Sequence, residues 1–172
     1  MNSSAIIATA NFACQAKIEG APFEVLTEIE AKEIEAIAAQ IFPSDGTPGA
    51  TEAGIIYFID RALATIREKD KEEVQRGLVE FKSKISEKFP RKNFSDLNSK
   101  QQIEMLKEIE QTNFFKTVRN LTISGMFAMS SYGGNNDNIG WEHLGFDHSA
   151  TWKPPFGYYD EQYMNERGNN EQ

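Results

Sequence analysis

The chain has 172 residues, of which 18 are basic and 26 acidic, for a net charge of −8. Hydrophobic residues make up 40% and charged residues 26%, the balance of one globular domain with enough chain to bury a core. The acidic excess argues against sequence-independent nucleic-acid binding and against electrostatic docking on anionic lipid, since both need a basic footprint.

The first 26 residues lack periodicity. Ala5-Ile6-Ile7-Ala8-Thr9-Ala10 is small and apolar, and Ala8-Thr9-Ala10 has the A-x-A form of a cleavage site. A basic n-region and a longer apolar run, which a complete signal peptide carries, are missing. Two readings stay open: the stub of an export signal, or the N-terminus of a cytosolic protein. The single cysteine, Cys14, excludes an intrachain disulfide framework and a thiolate zinc site. No apolar run reaches the ~18 residues of a membrane-spanning helix, so no direct membrane span is expected.

Thr27 followed by Glu30 predicts a capping box, and Ile34, Ile37, Ala38 and Ile41 repeat at helical spacing behind it. Pro43 ends this element, predicted over 28–42. Pro43-Ser44-Asp45-Gly46-Thr47-Pro48-Gly49 is a turn-rich loop. A second helix is predicted over 51–68, with Ile55, Phe58, Ile59, Ala62, Leu63 and Ile66 on its apolar side. Asp70 with Glu73 reads as another capping box, opening a helix over 71–88 whose face is Val74, Leu78, Phe81 and Ile85. The charged run from Arg67 to Glu73 reads as a solvated junction.

Phe94 and Leu97 anchor a short connector. Ser99 with Gln102 reads as a third capping box, for a helix over 99–111 bearing Ile103, Leu106 and Ile109. Residues 113–130 are densely apolar and are expected to form the most buried helix. After Ser130 the texture becomes rich in glycine, proline and aromatic residues, and the last residues are polar. The fold expected is all-α: about five helices in a compact bundle, followed by an irregular C-terminal segment. Residues 1–26 form an N-terminal segment, 27–164 the helical domain and 165–172 a polar tail.

Few features carry chemistry. Gly133-Gly134-Asn135-Asn136 follows a helix rather than a strand and has no lysine nearby, so a helix stop explains it better than a phosphate cradle. The only histidines are His143 and His148. With Glu142 and Asp147 they allow one catalytic reading, an independent metal-assisted hydrolase or lyase, although the spacing matches no common zinc motif. Structural or interface histidines are the simpler reading. Glu52 and Asp60 read as a helix-start group and a surface or salt-bridge group. The most informative stretch is aromatic: Trp141, Phe146, Trp152, Phe156, Tyr158 and Tyr159 lie among glycines and prolines. Trp and Tyr dominate interface hot spots, so this segment reads as a contact surface. Trp141 and Phe146 are expected to face the core, and Pro154–Tyr159 to reach a partner.

Several segments, in order, resemble the gluconate 2-dehydrogenase subunit 3 family. They are Ile41-Phe42-Pro43-Ser44-Asp45-Gly46-Thr47-Pro48-Gly49-Ala50, Glu52-Ala53-Gly54, Phe58-Ile59-Asp60-Arg61, Phe114-Phe115, Tyr132-Gly133-Gly134-Asn135, and Gly140-Trp141 to Gly145-Phe146. The closing Pro154-Pro155-Phe156-Gly157-Tyr158-Tyr159 resembles the variant paired with glucose–methanol–choline type flavoproteins. The resemblance implies a non-catalytic, periplasmic small subunit with no cofactor of its own. It implies an FAD-dependent catalytic large subunit as partner, which this chain stabilises and escorts, and often a cytochrome c subunit as well. The twin arginines of many family export signals are missing here. On this reading the partner-facing residues are Tyr132, Asn135, Trp141, Phe146, Trp152, Pro155, Phe156, Tyr158 and Tyr159. His148 and Tyr158 are the residues to test for a reach into the partner's substrate pocket.

Overall fold

The computed structural model describes residues 22–146 and the isolated positions 162 and 166. Within residues 22–146 six α-helices follow in order: α1 Glu28–Ile41, α2 Ile55–Ala64, α3 Lys71–Lys88, α4 Ser99–Ile109, α5 Asn113–Phe127 and the short α6 Ile139–His143. Single 3-10 turns lie at Glu68–Asp70, Phe94–Asp96, Ser130–Tyr132 and Asn136–Asn138. No strand occurs among the described residues, and none of their helices is long and apolar enough to cross a membrane. The architecture is all-α, and the five long helices are those that periodicity predicts.

Helix α5 is the axis of the bundle, packing against α1, α2, α3, α4 and α6. The apolar faces meet around it. Ile34 and Ile37 of α1, Ile59 and Leu63 of α2, Leu78, Phe81 and Ile85 of α3, Met105 of α4 and Met126 of α5 are all buried. Phe94, from the connector, fills the space beside Phe81 with ring centroids 5.3 Å apart. The approach of α3 to α5 depends on Gly77. A Cβ there would sit 2.4 Å from the Cβ of Phe114, well inside van der Waals contact.

Helix starts follow capping chemistry. At α1 the Thr27 amide donates to Glu30 Oε2 (2.9 Å), and the Glu30 amide donates to Thr27 Oγ1 (3.3 Å). At α4 the cap is Asn98 with Gln101, one residue before the expected Ser99 with Gln102. Gln102 turns inward instead. Its amide donates to the Phe94 carbonyl (3.0 Å) and accepts from Gln40 Nε2 (2.8 Å). The expected Asp70–Glu73 box is also corrected. Asp70 has helical backbone angles, which place its side chain badly for capping, and its carboxylate pairs with Arg67.

Helix α2 is shorter than the predicted 51–68. Gly54 adopts φ +68°, ψ 32°, a left-handed conformation that no continuing helix allows, so α2 begins at Ile55. At the other end Thr65 leaves helical geometry, and Ile66, expected on the apolar side, is 78% exposed. Within its short span α2 is the most deeply packed helix, with Ile55, Ile56, Phe58, Ile59, Asp60, Ala62 and Leu63 all buried. That place was expected for α5, which ends at Phe127 and leaves Met129 exposed.

Two buried carboxylates pin distant segments to the bundle. Glu33 accepts from the amides of Phe94 (2.8 Å) and Ser95 (3.2 Å). Asp60, expected as a surface or salt-bridge group, is 4% exposed. Its carboxylate accepts the amides of Glu24 (2.7 Å), Val25 (2.9 Å) and Leu26 (2.9 Å). This strap, residues 22–26, is sealed by buried Leu26 and by Phe23 stacked on Tyr57 at 5.5 Å. The backbone donors meet the buried charge, so no cation is needed.

Candidate functional site: a two-segment cap on the bundle

The glycine- and proline-rich loop after α1 and the segment after α5 meet at one end of the bundle. In the first, the Ala50 amide returns to the Phe42 carbonyl (2.9 Å). Glu52 accepts from Ser44 Oγ (2.7 Å) and from the Gly49 amide (2.9 Å). The Ser44 hydroxyl, Glu52's own main chain and the Gly49 amide all hold this carboxyl below the usual glutamate range. Glu52 therefore ties the loop rather than starting a helix.

The second segment explains its own composition. Gly133, Asn135, Asp137 and Asn138 all have positive φ. Gly, Asn and Asp tolerate that region best, so the Gly-Gly-Asn-Asn-Asp-Asn run is what the path requires. The C-terminal end of α5 leaves free carbonyls, as every helix does. Asn135 Nδ2 donates to the Ala128 carbonyl (2.8 Å), and Trp141 Nε1 donates to the Phe127 carbonyl (3.0 Å). Asn135 Oδ1 then accepts from the Gly140 amide (2.8 Å). Gly140 lies so close to α5 that a Cβ would stand 1.8 Å from the Met126 carbonyl oxygen.

The two segments are joined directly. The Asn136 amide donates to the Ala53 carbonyl (3.1 Å). His143 Nε2 lies 2.8 Å from the Pro48 carbonyl, which can only accept, so this nitrogen carries the proton. The His143 ring meets Phe42 edge-on at 5.3 Å, and Phe42 meets Phe127 at 6.2 Å. His143 is thus a structural tie.

The sequence-predicted contact residues divide accordingly. Asn135 is 0% exposed and has both ends of its amide engaged inside, so it builds the cap. Tyr132 is 56% exposed. Trp141 is half-buried, and Phe146, expected against the core, is 46% exposed with its ring 5.6 Å from Trp141. Met129, from the apolar run expected to be buried, and Leu144, not singled out by sequence, are exposed on the same segment. Trp152, Pro155, Phe156, Tyr158, Tyr159, Asp147 and His148 lie outside the described residues. Among the described residues no group of three His, Cys, Asp or Glu side chains could hold a metal. The cap's polar groups bond one another, and its exposed groups include large apolar side chains.

The sequence profile of the family described as gluconate 2-dehydrogenase subunit 3 matches residues 28–147. No curated protein and no solved structure gives a significant match. The profile spans all six helices and both segments of the cap, and the chain belongs to the gluconate 2-dehydrogenase subunit 3 family. It is a small subunit of that type, a type that serves a multi-subunit dehydrogenase.

Proposed function

We propose that this chain is the non-catalytic small subunit of a periplasmic, FAD-dependent dehydrogenase of the glucose–methanol–choline type. The substrate class is a sugar, sugar acid or glycoside. The flavin and the reaction belong to the large subunit, and a cytochrome c subunit completes the complex. The observation that carries this reading is the cap. Family motif residues such as Glu52 and Asn135 use their polar groups to tie the two segments together. Tyr132, in contrast, presents a large ring to solvent. A hydrogen-bonded surface of that kind suits protein contact better than bond chemistry.

The mechanism is differential binding. A subunit that binds the folded flavoprotein better than the unfolded one stabilises it by mass action. Such a rigid body also escorts its partner as a preassembled unit. The test is recovery of the tagged chain from its native host, with a flavin absorbance spectrum and mass identification. A stoichiometric flavoprotein is the expected result. Recovery of the chain alone, under conditions that preserve complexes, would overturn the reading. Within the complex, replacing Trp152, Phe156 and Tyr158 together with Ala is expected to weaken assembly while the isolated subunit stays folded.

A further inference from the structure

A groove of about 530 Å³ runs between α2, the end of α5 and the 3-10 turn after it. Phe58, Ala62, Ile66, Ala128 and Tyr132 supply its apolar wall. Two features mark it. Ile66 (78%) and Tyr132 (56%), two large side chains, are exposed at its edge. Arg61 also lines it, half-buried, and its guanidinium makes no ion pair or hydrogen bond to the described residues. Arg76, Arg91 and Arg119 also make none but are exposed, whereas Arg61 is half-buried against an apolar wall in a chain of net charge −8.

We infer that this groove docks an apolar segment of the partner subunit that carries a carboxylate, an Asp or Glu side chain or a chain terminus, which pairs with Arg61. The inference rests on the reading of the chain as a dehydrogenase small subunit. Charge complementarity selects the occupant. A guanidinium held at an apolar wall offers a planar fork of donors that a carboxylate meets with two parallel bonds, and exclusion of water strengthens the pair. The apolar wall takes the flanking side chains, in the arrangement common to interface hot spots. A second copy of this chain fits worse. It brings two bodies of net charge −8 together, and a two-fold contact through the groove would set Arg61 against Arg61.

The groove adjoins the cap. Ala128 lies in both, since its carbonyl accepts from Asn135 and its side lines the groove, and Tyr132 closes the turn that leads into the cap. The docking surface therefore continues from the cap onto α2, through residues that belong to no aromatic tail.

The test compares wild type with Arg61→Glu and, separately, Ile66→Ser in the purified complex. The dissociation constant of the flavoprotein–small subunit pair is measured by titration, with the flavin as the signal. Each variant is expected to weaken the pair by about ten-fold or more, with Arg61→Glu also losing the salt dependence of the wild type. Thermal unfolding of the isolated variants should match wild type, because neither side chain is packed in the core. Wild-type affinity in both variants, beside a normal wild-type complex, overturns the groove and leaves the small-subunit reading standing. Groove-dependent self-association of the isolated chain, abolished by Arg61→Glu, also overturns it. Failure of wild type to hold any flavoprotein overturns both.

Discussion

Replacing Asp60 with Ala removes the acceptor for three backbone amides of the strap. Two responses compete. If the strap stays in place, one buried donor and two partly buried ones lose their partner, at up to about 1–3 kcal/mol each. If it peels away, water satisfies the amides, and the loss is the burial of Leu26, about 1.5–3 kcal/mol, plus the Phe23–Tyr57 stack, about 0.5–1.5 kcal/mol. Peeling costs less, so the variant should lose about 2–4.5 kcal/mol and do so locally. Urea unfolding followed by circular dichroism gives the magnitude. Hydrogen exchange gives the location: the amides of Glu24, Val25 and Leu26 should lose protection while those of α3 and α5 keep theirs. A loss below about 0.5 kcal/mol with the strap still protected would refute the assignment of Asp60 as the pin. Loss of protection spread evenly over the bundle would refute the local route.

Gly77→Ala pits helix propensity against packing. Alanine gains about 1 kcal/mol over glycine in a helix interior, but the new Cβ would lie 2.4 Å from Phe114, and overpacking costs about 1–3 kcal/mol. The melting temperature should fall, and a rise would show that α3 and α5 are farther apart than described. Glu52→Ala should loosen the Ser44–Gly49 loop in a pH-dependent way. Because the folded carboxyl titrates below its ordinary value, its contribution is present at neutral pH and is lost as the pH falls through that lowered value. The gap in melting temperature between wild type and variant should therefore narrow as the pH falls below the ordinary glutamate range, and a constant gap would refute the tie.

What the sequence reveals of this fold is what repeats at short range. The spacing of Val74, Leu78, Phe81 and Ile85, and the Thr27–Glu30 pair, are local patterns, and the helices they predict are found. Errors arise where a distant partner decides. Nothing near Asp60 in the chain announces the amides of residues 24–26, so a carboxylate in an acidic sequence reads as surface. Asn135 reads as a contact residue because its two partners, Ala128 and Gly140, are recognisable only once the turn is formed. Arg61 is the reverse case. Its position on α2 is legible, yet the apolar groove beside it is assembled from α5 and the turn at Tyr132.

The cap joins Pro48 to His143, 95 residues apart, and Ala53 to Asn136. Closing so long a loop carries an entropic cost that only a formed bundle between the two ends offsets. During synthesis the first segment emerges well before its mate, and the two bonds that join them cannot form until the second arrives. The surface at this end of the molecule is thus complete only once both segments are present. An incomplete or misfolded chain lacks it altogether, so any protein that recognises this surface selects finished subunits without a separate inspection step.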